Sequence, residues 1–167
     1  MGSHARPGAL PDLPNLRGEK SRRLDSVITM SLVVLLTGVY DADGGAIGEL
    51  RYWIGARLGR AHCSLCEVTH SAIKERREWS ETRSTLSVEF RTLHRDEQSE
   101  AVSAATNGLF PAVVAQDEFG EVYLLLGAED IKEIARQSQP HLALVVGVEQ
   151  AGTAIGLSWP GGSLRNL

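Results

Sequence analysis

The chain of 167 residues has the length of one domain with a single core. Its 43% hydrophobic and 23% charged content is that of a globular protein, and a net charge of −4 argues against a nucleic-acid partner, because no basic face outweighs the carboxylates. No apolar run approaches the roughly 18 residues of a membrane span, so no membrane partner is expected either.

Residues 1–29 carry Pro7, Pro11 and Pro14 with Gly2, Gly8 and Gly18, which interrupt helix and strand alike. They read as a disordered leader. The Met-Gly-Ser-His opening is compatible with a cloning remnant, and Met30 offers an alternative start. Arg22-Arg23 imitates the charged region of a signal peptide, but the apolar stretch after it runs into Asp41 and Asp43 without a small-residue cleavage site. A cytoplasmic location is the expectation, and there a CxxC pair is reactive or metal-binding.

From Ser31 the run SLVVLLTGVY is continuously apolar, as in a strand buried on both faces. The polar turn Asp41-Ala42-Asp43-Gly44-Gly45 ends it. Ile47, Leu50, Ile54 and Leu58 then recur at helical spacing, which predicts an amphipathic helix over 46–59, capped by Asp43 and closed near Gly59. Next comes HCSLCEVTH, residues 62–70, with both cysteines and two of the five histidines. A charged helix is predicted over 66–82, docked through Val68, Ile73 and Trp79; its mixed charges around Lys74 to Arg77 suit a solvated face.

Ser87-Val88-Glu89-Phe90-Arg91-Thr92-Leu93 alternates apolar and polar, which predicts a strand. A short helix follows over 96–106, stopped by Asn107-Gly108. Leu109-Phe110-Pro111 leads into the strand AVVAQ, a turn at Glu118-Phe119-Gly120, the strand EVYLLLG and the helix IKEIARQ. After Pro140, HLALVVGVE is read as one more strand on its β-branched content. Gly and Ser in the remainder predict a flexible tail over 149–167, so the domain itself is placed at 30–148.

The nine-residue motif has three readings. Cys63 and Cys66 have the spacing of a redox dithiol; a helix start near them and a protonated His62 would each favour a thiolate. Alternatively, Cys63, Cys66 and His70 form C-x₂-C-x₃-H, with His62 or Asp43 completing a tetrahedral set that suits zinc or copper. Cys66 and His70, four apart, would share one helix face. Finally, both cysteines can be inert packing residues. His94 and His141 have no nameable partner, and Trp53 and Trp79 read as core.

With the CxxC segment set aside, the order strand, helix, strand, helix, Pro-strand, strand, helix resembles the thioredoxin-like fold over residues 31–136. FPAVVAQDEFGEVYLLLGAEDIKEI is similar to the C-terminal half of that family. The resemblance implies an α/β domain with a central mixed sheet flanked by helices and a helical insertion carrying CxxC. It also implies a cis-proline at Pro111 facing the site, Cys63 as attacking thiol, Cys66 as resolving thiol, and a protein thiol or small-molecule thiol as partner. The chain departs from the family in one respect. Asp41 to Gly45 occupies the usual CxxC position, and the cysteines come a whole predicted helix later. A Y-[DN]-A-D-x-G turn followed by C-x-L-C also resembles a group of uncharacterised small bacterial proteins, some labelled GTPases, yet no G-x-x-x-x-G-K-[ST] loop is present. A non-catalytic binding module on the same scaffold is the third functional class.

Overall fold

The computed structural model describes residues 30–42, 63–71 and 74–165. The predicted leader and the predicted helix over 46–59 lie outside them, as do His62 and Asp43. Within them runs a mixed five-stranded sheet flanked by helices.

The aliphatic run predicted to be a doubly buried strand is β1, Ser31–Val39, at the centre of the sheet. On one side it pairs in parallel with β2, Glu89–Leu93, from Leu35↔Glu89 to Val39↔Leu93. On the other it pairs antiparallel with β3, Ala112–Asp117, ending at Val39↔Ala112. The hairpin then adds β4, Val122–Leu126. Asp117 organises its turn: one carboxylate oxygen accepts the N–H of Phe119 (3.0 Å) and of Glu121 (2.9 Å), and the other accepts the Tyr123 hydroxyl (3.1 Å). An acidic residue thus stays buried because it is fully hydrogen-bonded.

The helices follow in chain order: α1, Ser64–Thr69; α2, Arg77–Ser84; α3, Glu100–Thr106; α4, Ala128–Ala135; and α5, Pro140–Ala154. Val39 and Val114 pack with Val102 of α3 in a small cluster. The main core joins Val33, Leu36, Phe90 and Val113 to α1, α2, α4 and α5 through Leu65, Trp79, Ile131 and Leu144. Ser99 caps α3 by accepting the Val102 N–H (3.3 Å), and Asn107, in the left-handed conformation at φ 47°, ends it.

Four expectations are corrected. The single helix over 66–82 is two short helices, because the chain turns extended at His70 (φ −129°, ψ 147°). Arg76 secures that break, its Nε donating to the carbonyls of Glu67 (2.8 Å) and His70 (3.2 Å). The strand expected after Pro140 is helix α5: proline is favoured at a first helical position, and Leu144, Val145, Val148 and Gly152 form one buried stripe. Nor is 149–165 a loose tail. It completes α5, forms β5, Leu157–Ser158, parallel to the start of β1, and bridges Leu86 at Arg165. The helix expected over 96–106 also begins later, after a 3-10 turn at Arg95–Glu97.

Gly152 is the point of closest approach between α5 and Trp159. A Cβ there would stand 2.6 Å from Trp159 Cζ2, and the ring is held by its Nε1–H bond to Thr153 Oγ1 (3.2 Å). Gly152→Ala is therefore expected to lower stability by about 1–3 kcal/mol despite the better helix propensity of alanine. Chemical denaturation tests this; an unchanged midpoint would mean that the ring moves aside freely. Among the described residues, no helix is long and apolar enough to cross a membrane.

Candidate dithiol site

Cys66 sits on α1, a helix of six residues that buries Leu65, Val68 and Thr69, and Cys63 directly precedes it. Gly38 of β1 makes room for it: a Cβ there would lie 3.1 Å from both Leu65 Cδ2 and Phe90 Cε1. The glycine that interrupts the aliphatic run of β1 thus lets α1 sit close on the sheet. Leu65 and Val68 are fully covered, while Cys63 and Cys66 are left half-buried at the margin of the core.

Cys63 is the N-cap residue of α1. Its sulfur makes no conventional capping bond, but the N–H groups of Asp41, Cys66 and Leu65 and the thiol of Cys66 all favour its ionised form. The Cys66 thiol is the largest of these influences, and together they outweigh burial, lowering Cys63 from its ordinary value to about 7. Cys66 moves the other way, pushed up by sharing its proton with Cys63, by burial and by the neighbouring charge. The pair is unequal: one thiol ionises near neutrality, and the other holds its proton.

The inequality has a consequence for stability. Cys63, with its pKa depressed by folding, contributes stability that is present above the ordinary cysteine value and lost as pH falls through about 7. The raised Cys66 acts oppositely, since at alkaline pH the unfolded chain loses a proton that the folded one keeps. Reduced protein is therefore expected to gain about 1–2 kcal/mol between pH 6.5 and 8.5 relative to Cys63→Ser, and to lose part of it above pH 9. Denaturant midpoints in a non-thiol reductant would check this, and parallel curves for the two proteins would contradict it.

The far end of α1 is tied down by Tyr40, only 6% exposed, which follows β1 directly. Its hydroxyl lies 2.9 Å from Thr69 Oγ1 and 3.1 Å from His70 Nδ1, and these two atoms are 2.9 Å apart. Thr69 donates its own proton to the Leu65 carbonyl (2.9 Å). Its oxygen is thus an acceptor, and the proton in its contact with His70 belongs to Nδ1. Neutral His70 then carries its lone pair on Nε2. Burial and the Arg83 charge outweigh the pull of Glu75 and lower the His70 pKa, favouring this neutral form. Burial likewise pushes Tyr40 up to about 12, so it stays a protonated donor.

Sequence reasoning gave Tyr40 no role. The available signal was an aromatic hydroxyl closing an aliphatic strand directly before Asp41; its partners 29 and 30 residues away were not legible. Around it, Arg95 pairs with Asp41 (3.2 Å), His94 pairs with Glu97 (2.8 Å), and the His94 ring lies 5.8 Å from that of Tyr40.

Of the residues singled out from sequence, Cys63 and Asp41 meet at the end of β1. Pro111 is buried, its peptide bond with Phe110 is cis, and the register Val39↔Ala112 brings it to the same end of the sheet. His70 faces Tyr40 and Thr69 through Nδ1. The other candidate ligands, His62 and Asp43, lie outside the described residues. Among the described residues, no group of three or more His, Cys, Asp or Glu side chains is arranged to hold a metal ion. No protein-family model, curated protein or solved structure matches this chain.

Proposed function

We propose that the protein exchanges thiols and disulfides on a thioredoxin-like scaffold, with Cys63 attacking and Cys66 resolving. The observation that carries this reading is the inequality of two adjacent thiols: the Cys66 thiol first, and then the Asp41 and α1 N–H groups, favour ionisation of Cys63. The parallel β1–β2 unit, the β3–β4 hairpin, the following α4 and Pro111 opening β3 support the scaffold.

In the forward reaction, Cys63 thiolate attacks one sulfur of a partner disulfide. A mixed disulfide forms and the other partner sulfur leaves as a thiolate. Cys66 then loses its proton to solvent and attacks the Cys63 sulfur, which closes the Cys63–Cys66 disulfide and releases the second partner thiolate. The partner is oxidised at the start and leaves as two thiols; the protein supplies both electrons. A protein disulfide or a small-molecule disulfide fits this chemistry.

Rapid alkylation of Cys63 near neutral pH, in protein free of metal by elemental analysis, is the expected result. Two thiols that resist alkylation until unfolding would make them packing residues and favour a binding module. A stoichiometric zinc or copper ion lost in Cys66→Ser would replace plain exchange by metal binding through Cys63, Cys66 and His70.

A further inference from the structure

We propose that Tyr40 is a positioning residue for the dithiol: its hydroxyl holds the Cys66-bearing face of α1 against the end of β1 and thereby keeps Cys63 at the Asp41 N–H. The inference rests on the exchange reading above.

An isolated helix of six residues is unstable in water, so tertiary contacts must set where α1 lies. Leu65 and Val68 supply apolar burial, which is strong but non-directional. Direction comes from Tyr40 and Asp41, consecutive in sequence, which engage opposite ends of α1. The Asp41 N–H acts on Cys63 before the first turn, while the Tyr40 hydroxyl engages Thr69 and His70 at the last. Cys66 and Thr69 stand three apart on α1, so they share the face that Tyr40 engages, and His70, where the chain turns extended, meets the same hydroxyl. Tyr40 is itself fixed to the sheet, its N–H donating to the Leu93 carbonyl (2.9 Å). Thr69, fully buried, spends its own proton on Leu65 and accepts from both the Tyr40 hydroxyl and the His70 Nδ1–H. Loss of the hydroxyl removes, of the two donors to this buried acceptor, the one anchored at the end of β1, and frees α1 to rock on its apolar contacts.

The test is the alkylation rate of reduced full-length protein with iodoacetamide at pH 7, with the exchange equilibrium against glutathione as second readout. Tyr40→Phe keeps the ring and removes the hydroxyl; it is expected to slow Cys63 about three- to tenfold, because a lost thiolate fraction is only partly offset by greater intrinsic nucleophilicity. Thr69→Val should reproduce the effect, and Thr69→Ser should restore the wild-type rate. Val148→Ala, a buried change on α5, should lower stability without moving the rate. Folded Tyr40→Phe with the wild-type rate and glutathione equilibrium overturns the inference and leaves exchange standing. If Tyr40→Phe fails to fold, equal rates in Thr69→Val and Thr69→Ser overturn it instead. A wild-type Cys63 no faster than an ordinary exposed cysteine defeats the exchange reading, and this inference with it.

Discussion

Cys63→Ser is expected to slow alkylation and exchange with oxidised glutathione by about tenfold or more, because the remaining Cys66, no longer raised by its Cys63 partner, is half-buried and burial still favours its protonated thiol. Cys66→Ser should behave differently. Its Cys63 has lost the thiol that contributes most to its ionisation, so its alkylation should slow. Yet any mixed disulfide that it forms has no resolving partner and should accumulate. Intact-mass spectrometry after exposure to oxidised glutathione separates the two variants: one glutathione adduct on Cys66→Ser, and little on Cys63→Ser. Adducts of equal yield on both would refute the assigned order of attack.

The largest effect on stability is expected at Trp79. Its ring is 1% exposed and meets Phe90 edge-to-face, with centroids 5.0 Å apart and planes at 81°. It anchors α2, a helix whose other side chains are mostly charged or polar, to a core shared with Leu86, Leu144 and Leu164. Trp79→Ala removes the side chain that makes this attachment and is expected to cost about 3–5 kcal/mol. Chemical denaturation measures it. A cost below about 1 kcal/mol would show that α2 contributes little to the fold.

The parts of the fold that sequence reasoning reached are those written in short-range periodicity. The continuous aliphatic run of β1, the alternation of β2 and the two strands around Asp117 specify their elements locally. Helix α5 was misread because its valines suit a strand, whereas Pro140 at its first position and the four-residue spacing of Leu144, Val148 and Gly152 suit a helix. The break after Thr69 depends on Arg76 reaching back to two carbonyls, which no local pattern reports. At the site, the cysteines were legible as a pair, but their inequality was not. It arises first from the contact between the two thiols and then from an N–H of Asp41, at the end of a strand that composition cannot align with α1.

The central place of β1 has a consequence for the order in which the chain is made. Its three neighbours, β2, β3 and β5, all follow it in sequence, the last beginning at Leu157. On the ribosome, this aliphatic strand therefore emerges before each of these three described partners. Those partners arrive in turn from Glu89, Ala112 and Leu157, so its backbone edges are covered stepwise over on the order of 5–20 s of synthesis. Such a nascent strand is a template for unwanted pairing with other chains. The short helix α1, which brings Leu65 and Val68 together with the cysteines, is the first described element able to shield it. The segment that carries the proposed chemistry is thus also the earliest cover for the segment most prone to aggregate.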